Sequence, residues 1–238
     1  MDGRIMITGD KHGAMTPFFG LSEKQDLQDS DIMLITGDAG YVFYADYKLK
    51  IETLEQLFPG TIAFIDGNHE NFDILGGMEE TTWCGGKVHR VSDRIWHLMR
   101  GEIYEIYGRK FFVFGGARTT DPFDREKGEG WWPDDEEPSS EEIRYGEEQL
   151  LAHLDDIEYV ISHEAPRLVR QFTKRKKHVP EDYVLPDVLD RWYDAAKKGK
   201  NFRKWFFGHM HIDQAIEDGL MGLHNEILLL ETGERVRW

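Results

Sequence analysis

The sequence predicts an α/β fold in which short strands and amphipathic helices alternate as βαβ units around a largely parallel or mixed sheet. In the first third of the chain, three apolar runs alternate with amphipathic stretches, and each run leads directly into a glycine-containing turn. The chain has 238 residues, of which 40% are hydrophobic, and such a length fits one sizeable core. We therefore expect a single domain over residues 1–238.

Three strands and two helices are expected in this first third. The strands cover the apolar runs Arg4–Thr8, Asp31–Thr36 and Thr61–Asp66. The turns that follow them are Gly9-Asp10, Gly37-Asp38 and Gly67-Asn68. Helices are expected at Ser22–Ser30 and Tyr44–Phe58, and the Pro-Gly pair after the second would end it. Open α/β sheets place their ligands just beyond strand ends of this kind.

Closely spaced aromatic and β-branched runs follow, and they are typical of antiparallel strands. The expected strands are Arg94–Met99, Glu102–Tyr107 and Lys110–Phe114, with a hairpin turn at Gly108-Arg109. The segment from about 118 to 142 is rich in Asp, Glu, Pro and Gly, and no period runs through it. We therefore expect it to form a long acidic loop that contains Trp131 and Trp132.

The remaining third returns to alternating elements. Ser139 and Glu142 have the spacing of a capping box, which predicts a helix from there to about Asp155. A charged helical stretch is expected at Glu181–Lys198. Strands are expected at Tyr159–Ser162, Lys204–Phe207 and Gly222–Glu231.

Composition excludes several classes of protein. The formal net charge of −16 makes non-specific nucleic-acid binding unfavourable, because that binding depends mainly on Lys and Arg. No apolar run approaches the roughly 18 residues that a membrane span needs. A single cysteine, Cys84, excludes an internal disulfide and suits a reducing compartment. We therefore expect a cytoplasmic protein with no membrane contact.

Polar side chains that can bind a metal follow five of the predicted strands. They are Asp10 and His12, Asp38, Asn68 and His69, His163, and His209 and His211. Oxygen and imidazole donors without thiolate favour Mn, Fe, Zn or Ni. Because Asp10 and His12 are two residues apart, as are His209 and His211, both members of each pair can point to one side of an extended segment. The sequence therefore predicts a metal site.

These blocks, D-x-H, GD, GNHE, H and GHxH in order, resemble the calcineurin-like metallophosphoesterases from Asp10 to His211. The resemblance implies a four-layer αββα sandwich that holds two metal ions. By motif, Asp10, His12 and His211 would bind the first ion, and Asn68, His163 and His209 the second. Asp38 would bridge both ions, and His69 would lie beside the reacting phosphate without binding a metal.

Such a site supports in-line attack on phosphorus by a metal-bridging hydroxide. A neighbouring imidazole can protonate the leaving alkoxide, and His69 is our candidate for this general acid. Glu70 has two interpretations: it fixes the ring orientation of a histidine ligand, or it is a surface residue that only follows the motif. Lys11 lies between two ligands and is expected to point away from the metals. His89, His97, His153, His178 and His224 lack motif context and are expected to be structural or surface residues.

The second block departs from the protein Ser/Thr phosphatases, in which GDxxDRG supplies a phosphate-binding arginine. Here Asp38 is followed by Ala-Gly-Tyr-Val, so another cation would have to bind phosphate. Arg118 is the first candidate and Arg125 the second, because Arg118 follows a strand and a glycine-rich turn and guanidinium pairs with phosphate oxygens. The alternative for Arg118 is a salt bridge within the acidic loop.

Two other features have alternative interpretations. Trp131 and Trp132 either anchor the acidic loop to the body of the protein or stack on a base or sugar. The basic run 167–178 either steers a phosphorylated substrate towards the site or is a solvated face.

Together these features predict a divalent-metal-dependent phosphoester hydrolase that acts on a phosphodiester of a small or nucleotide-derived substrate. Two divalent cations are expected, with Mn²⁺ favoured and Fe, Zn or Ni as alternatives. A phosphomonoesterase, including a protein or nucleotide phosphatase, is the alternative enzyme. From another class, the alternative is a metal-binding scaffold without turnover.

Overall fold

Two β-sheets packed face to face form the centre of the protein in a computed structural model, which describes residues 3–119, 126–173, 180, 182–217 and 219–238. The strands are β1 Ile5–Thr8, β2 Ile32–Ile35, β3 Thr61–Ile65, β4 Glu79–Trp83, β5 Gly86–Arg90, β6 Ile95–Leu98, β7 Ile103–Ile106, β8 Arg109–Phe114, β9 Tyr159–Ser162, β10 Lys204–Phe207, β11 Gln214–Glu217, β12 Leu220–Gly222 and β13 Leu228–Leu229. The α-helices are α1 Thr16–Lys24, α2 Tyr47–Leu57, α3 Phe72–Gly76, α4 Ser140–Ala152 and α5 Leu185–Ala196, and a 3₁₀ helix covers Arg167–Gln171.

Both sheets are mixed. The first has seven strands in the order β13-β1-β2-β3-β6-β5-β4, and β1, β2, β3 and β6 run parallel. The second has six strands in the order β11-β12-β10-β9-β8-β7, and β8, β9, β10 and β12 run parallel. The carboxyl ends of β1, β2 and β3 in one sheet and of β9 and β10 in the other carry the predicted metal-binding side chains.

Three buried apolar clusters make this a four-layer αββα sandwich. Ile7, Leu34 and Phe206 belong to the cluster between the sheets. Met6, next to Ile7 in β1, belongs instead to the cluster beneath the first helices, because successive strand residues point to opposite faces. The third cluster packs α4 and α5 on the second sheet and includes Trp192. The predicted α/β class and the four layers are confirmed, whereas the single-domain boundary stays a prediction.

Most predicted elements are present within one or two residues of their expected ends, but the first helix lies elsewhere. It runs from Thr16 to Lys24 rather than over Ser22–Ser30. Pro17 stands in its first turn, where proline is favoured, and Gln25 is already extended. The Ser139 and Glu142 capping box is confirmed, although that helix ends at Ala152. The helix predicted over Glu181–Lys198 is the shorter α5, and its residue 181 lies outside the described residues.

One predicted turn and one predicted strand were wrong. The hairpin between β7 and β8 turns at Tyr107 and Gly108, with φ of +49° and +71°, rather than at Gly108-Arg109. Positive φ at both central residues suits the twist of a two-residue hairpin, which leaves Arg109 free to pair in β8. The expected strand Gly222–Glu231 is interrupted, because the chain crosses there from β12 in one sheet to β13 in the other. The Asp213 carboxylate accepts hydrogen bonds from three backbone N–H groups of this crossing.

The β4–β5 hairpin, α3 and β11 were not predicted as elements. The hairpin turns at Cys84 and Gly85, and β4 is largely exposed, so its apolar period is weak. Helix α3 is one short turn capped by Asn71, whose side-chain oxygen accepts from the Ile74 N–H. None of the described helices is both long and apolar enough to span a membrane.

Asp31 ties the start of β1 to the start of β2, and replacing it with alanine should destabilise the protein at neutral pH. The carboxylate accepts from the Arg4 N–H and Nε, both at 3.1 Å, and from the Gln28 N–H at 3.0 Å. We expect Asp31→Ala to lower the free energy of unfolding by about 2–3 kcal/mol, since buried donors lose a charged acceptor. Denaturant unfolding checks the value.

The loss caused by Asp31→Ala should depend on pH. Burial would raise the pKa of Asp31, but the hydrogen bonds from Arg4 and Gln28 hold it below its usual range. An acid whose pKa is lower in the folded state stabilises the fold above the unfolded pKa, which is about 4, and this contribution disappears as pH falls through the folded pKa. The difference between wild type and Asp31→Ala should therefore shrink below pH of about 4. A difference that stays constant from neutral pH into that range would contradict this.

Candidate metal centre

All five predicted ligand blocks follow strands, and the two sheets bring them to one edge of the sandwich. Asp10 and Asp38 lie just beyond β1 and β2, and Asn68 lies just beyond β3. His163 follows β9 and His209 follows β10. Parallel strands end at the same edge of a sheet, so the ligands of both sheets meet there.

The first group contains Asp10, His12 and His211, whose ligand atoms all lie within 4.8 Å of one another. The Nε2 atoms of His12 and His211 are 3.3 Å apart. The His211 Nε2 lies 3.7 Å from the Asp10 Oδ1. This is the group that the resemblance assigns to the first ion.

The second group centres on His163, which is completely buried. Its Nε2 lies 3.4 Å from the Asp38 Oδ1 and 3.2 Å from the Asn68 Oδ1. Its Nδ1 lies 2.8 Å from the Thr36 carbonyl oxygen. A proton on Nδ1 would donate to that carbonyl and leave Nε2 as the metal-binding atom. The His209 ring completes the group, with its centroid 5.2 Å from that of His163.

Two carboxylates lie between the groups. The Asp38 Oδ2 is 3.7 Å from the His12 Nε2 of the first group, while its Oδ1 faces His163 of the second. Asp10 also approaches both groups, because its carboxylate, that of Asp38 and His163 have ligand atoms within 4.8 Å. Asp38 therefore has the position that a bridging ligand requires, and its assigned role stays a prediction.

Five of the predicted ligands have left-handed backbone conformations. Asp10, His12, Asp38, His209 and His211 have φ between +42° and +57°. Among the described residues, the two other non-glycine positions with positive φ are in the β-hairpin turns at Cys84 and Tyr107. Such conformations cost roughly 1–3 kcal/mol each and concentrate at functional sites. The fold thus holds these side chains in place at a cost in stability.

Glycine at two positions lets the ligands approach the backbone. A Cβ atom at Gly37 would lie 2.2 Å from the His163 Nδ1. A Cβ atom at Gly67 would lie 2.1 Å from the Asp38 Oδ1. The GD and GN pairs of the sequence therefore have a packing reason, since any larger residue would displace a predicted ligand.

The electrostatics of the cluster suit a cation. The Asp10 Oδ2 is buried and accepts no hydrogen bond from the described residues, although such atoms are nearly always paired. Burial, together with the nearby Asp38 carboxylate, raises the pKa of Asp10 to about 7. Burial disfavours the charged His163 ring, yet the Asp38 carboxylate raises the pKa of His163 to about 10. A bound divalent cation would give the Asp10 oxygen a partner, and a cation at His163 would replace its proton. The side chains present therefore fit divalent metal ions.

His69 lies beside the cluster, as predicted for a residue that contacts substrate. Its backbone N–H donates to the Asp38 Oδ1 at 2.8 Å. Its ring centroid is 5.6 Å from that of His12, and its Nε2 is 3.1 Å from the Asn68 Nδ2. The ring also lines the cavity above the cluster, which has a volume of about 470 Å³.

Asn68 is oriented by residues that the sequence did not indicate. Its Nδ2 donates to the Thr119 Oγ1 at 3.0 Å, which turns its Oδ1 towards His163. The Thr119 hydroxyl donates in turn to the buried Glu136 carboxylate at 2.7 Å. Thr119 and Glu136 follow no strand directly and belong to no motif block, so no local signal marked them.

Glu164 is a further residue that the sequence did not indicate. It directly follows His163 and is completely buried. Its Oε2 accepts from the Tyr183 hydroxyl at 2.8 Å and lies 3.7 Å from the His209 Nε2. Glu164 therefore lies where it can help to orient the His209 ring.

The surface interpretation of Glu70 was wrong, because the side chain is completely buried. Its carboxylate accepts from the Ala39 N–H at 2.7 Å and the Gly40 N–H at 3.3 Å, in the turn after Asp38. Glu70 thus holds the backbone next to the central carboxylate of the site. A role in orienting a histidine ring stays a prediction.

Replacing Glu70 should loosen that turn. In Glu70→Ala the Ala39 and Gly40 N–H groups lose their acceptor inside the protein, and each buried unsatisfied donor costs about 1–3 kcal/mol. Glu70→Gln keeps an acceptor oxygen and the side-chain volume, so it should cost less. Denaturant unfolding of both variants checks this order. Equal stability of Glu70→Ala and wild type would mean that these hydrogen bonds contribute nothing.

Arg118, the first candidate for binding phosphate, is engaged by acidic residues. Arg118 forms ion pairs with Glu137 and Asp182, and its guanidinium lies over the Tyr183 ring at 4.8 Å. This is the salt-bridge alternative, so phosphate binding by Arg118 stays a prediction. Arg125 lies outside the described residues.

Several other predictions concern the surroundings of the site. The Lys11 Nζ donates to the His224 carbonyl oxygen at 2.6 Å, and its expected orientation away from the metals stays a prediction. His224 stacks on His211 at 4.4 Å, so it is a neighbour of the site rather than a remote residue. His89 and His97 are buried and stacked, as expected for structural residues, and His178 lies outside the described residues.

The acidic loop and the basic run are both partly described. Trp132 is 5% exposed, packs against Phe43 and donates from Nε1 to the Asp73 carboxylate at 2.9 Å, which makes it an anchor. In the basic run, Arg167 pairs with Asp187 and Arg170 with Glu164, and residues 174–178 lie outside the described part of the chain. Both interpretations of the basic run stay predictions.

The αββα sandwich and the clustered Asp, Asn and His side chains at its edge define the class of the protein as an α/β fold with a candidate metal-binding site. The profile of the calcineurin-like phosphoesterases matches residues 3–213, and the chain belongs to this family. The predicted resemblance to this family is confirmed.

Comparison with curated proteins gives no match. Among solved structures, the chain is similar to the Thermus thermophilus sulfate thiohydrolase SoxB in complex with glycerol, with 10% sequence identity and a TM-score of 0.38. The match covers 87% of this chain and 37% of that one, so the chain spans well under half the length of SoxB.

Proposed function

We propose that this protein hydrolyses a phosphodiester of a small or nucleotide-derived substrate with the help of two divalent cations. The observation that carries the proposal is the convergence of two ligand groups on the Asp10 and Asp38 carboxylates, with one buried Asp10 oxygen unpaired among the described residues. Packing of a hydrophobic core does not explain why seven Asp, Asn and His side chains lie together at one sheet edge. Five of these residues have left-handed backbone conformations.

Asp10, His12 and His211 would hold one cation, Asn68, His163 and His209 the other, and Asp38 would contact both. When bound, the two cations would lower the pKa of a shared water and stabilise negative charge on the oxygens bound to phosphorus. The donor set of oxygen and imidazole accepts Mn²⁺, Fe, Zn or Ni, and we favour Mn²⁺.

The chain supplies the remaining proton. His69 lines the cavity beside the cluster, and its backbone N–H is anchored on Asp38. A protonated His69 would donate to the leaving oxygen as the phosphorus–oxygen bond breaks. Glu70, Thr119 and Glu164 keep the turn after Asp38 and the Asn68 and His209 side chains in position.

The charge of the cavity supports a diester over a monoester. Among its described lining residues, the one lysine or arginine is Lys50, and Glu129 offsets its charge. A diester carries one negative charge at neutral pH, whereas a monoester carries nearly two. The monoester would need additional cations, such as an Arg118 released from Glu137 and Asp182.

Hydrolysis of bis(p-nitrophenyl) phosphate and of p-nitrophenyl phosphate tests this proposal, with Mn²⁺, Ni²⁺, Zn²⁺ or Mg²⁺ added in turn. We expect metal-dependent turnover and a higher kcat/KM for the diester. A higher kcat/KM for the monoester would favour the phosphatase alternative. Metal binding without turnover of either ester would favour a scaffold.

The cytoplasmic location inferred from the single cysteine stays a prediction.

A further inference from the structure

The cavity above the predicted metal centre has a second wall that the proposed chemistry does not use. His12, His69 and His211 line the side nearest the metals. The other lining residues are Gly40, Phe43, Tyr44 and Lys50 from the segment after Asp38, and Glu129 and Gly130 from the acidic loop. With a volume of about 470 Å³, the cavity lies within the usual range for small-molecule sites.

The aromatic part of this wall is held in place from behind. Phe43 packs edge-on between Tyr44 at 5.0 Å and the buried Trp132 at 5.7 Å. Trp132 is fixed by its hydrogen bond to Asp73. Tyr44 is the outermost ring of the three and remains 61% exposed, although large aromatic side chains are usually covered. An exposed ring on a fixed support beside a catalytic cavity suits stacking on a flat ligand ring.

Lys50 places a positive charge between this ring and the metal centre. Its Nζ is 5.4 Å from the centroid of Tyr44. A Cβ atom built on Gly13 would lie 3.2 Å from the same Nζ, so the ammonium sits against the turn that carries His12. No carboxylate in the described ranges of the chain forms a salt bridge with Lys50, whereas Arg118 and Arg170 both have acidic partners. Lys50 is thus available to an anion.

We propose that Tyr44 and Lys50 determine specificity by forming a nucleoside phosphate subsite. Tyr44 stacks on the base, and Lys50 binds an oxygen of the substrate phosphate, while the Glu129 carboxylate at the rim can accept from a sugar hydroxyl. This names the substrate class as a nucleoside phosphodiester, and it rests on the proposed function for the location of the reacting phosphate. Two other ligand classes fit the cavity less well. A lipid diester would need a continuous apolar cavity wall for its chains, and inorganic phosphate has no ring that could stack on the exposed Tyr44.

The subsite can be tested with two esters that release the same leaving group. One is the p-nitrophenyl ester of thymidine 5′-monophosphate, and the other is methyl p-nitrophenyl phosphate, which has no base. We expect Tyr44→Ala to reduce the preference for the nucleoside ester by about tenfold, a typical effect of removing one stacking ring, and Tyr44→Phe to retain it. Lys50→Met should raise KM for both esters, with partial recovery in Lys50→Arg.

Matched controls come from the same helix. Lys48→Met removes an exposed lysine two residues from Lys50, and Leu49→Ala removes an exposed apolar side chain. Both should behave as wild type. Equal effects of Lys48→Met and Lys50→Met would mean that only the overall charge matters, and an unchanged preference in Tyr44→Ala would overturn the stacking role.

Binding separates this inference from the proposed function. Calorimetry on the manganese-loaded protein should show tighter binding of thymidine 5′-monophosphate than of inorganic phosphate, and Tyr44→Ala should remove that difference. If wild type hydrolyses neither ester but keeps the difference, the proposed function fails and the subsite stands. If wild type binds both ligands equally, the subsite is wrong whether or not the esters are hydrolysed.

Discussion

Asp38→Ala should abolish phosphodiester hydrolysis and the stabilisation of the protein by metal ions. The Asp38 carboxylate lies 3.7 Å from the His12 Nε2 of the first group and 3.4 Å from the His163 Nε2 of the second, and it also accepts a hydrogen bond from the His69 N–H. Because metal ions supply several kcal/mol of transition-state stabilisation, we expect kcat/KM to fall by at least about 10³-fold. We expect Mn²⁺ to raise the Tm of wild type, since cation binding stabilises the folded state, and we expect this increase to be largely lost in Asp38→Ala.

Two further variants separate loss of the ligand from loss of the fold. Asp38→Asn retains an acceptor for the His69 N–H while removing the negative charge, so it should fold and still show little hydrolysis. Asp29→Ala removes an exposed carboxylate far from the cavity lining and should retain both activity and the Mn²⁺-dependent Tm. Substantial hydrolysis by both Asp38 variants would show that this carboxylate does not hold the metals.

His69→Ala should lower kcat by about 10²–10⁴-fold, the usual contribution of a positioned general acid. The loss should depend on the leaving group. An alkoxide needs a proton as it departs, whereas p-nitrophenolate is stable as an anion, so a dinucleotide should show a larger loss than bis(p-nitrophenyl) phosphate. The Mn²⁺-dependent rise in Tm should remain, because His69 is assigned beside the metals and not as a ligand.

His153→Ala provides the matched histidine control. The His153 ring contacts the carbonyl oxygen of Gln149 at the end of α4, away from the cavity lining, and its removal should leave kcat unchanged. A loss in His69→Ala that is the same for both leaving groups would argue against proton donation. A lost Tm response to Mn²⁺ in that variant would instead place His69 among the ligands.

The candidate metal centre was predictable because each of its blocks is local in sequence. Asp10, Asp38 and Asn68 each follow a glycine directly after a buried strand, and the structure explains those glycines by close contacts such as the one between Gly67 and Asp38. The Ser139–Glu142 capping box was also local, since both partners lie within one helical turn. Short-range geometry of this kind can be recognised without knowing which strands pair.

The residues that support and surround the centre were not predictable in the same way. Glu70 contacts Ala39, 31 positions earlier, and Thr119 contacts Asn68 across 51 positions. Glu70 belongs to a motif, but the sequence does not indicate which residues it contacts. Thr119 belongs to no motif, and its contact with Asn68 is not indicated either. The role of Lys50 was not predictable either, because in the sequence it is an ordinary charged residue of an amphipathic helix. Only the folded structure shows that its ammonium lies against Gly13.

The amino-acid sequence alone determined the α/β class, the strand ends and the set of residues able to bind metal, because hydrophobic period, turn chemistry and donor type are properties of short segments. Only the tertiary structure decided that Glu70 holds a turn, that Arg118 is engaged by acidic partners, and that Tyr44 and Lys50 face the cavity. Those outcomes depend on which distant segments the two sheets bring together, and burial and charge pairing act only once the chain has folded.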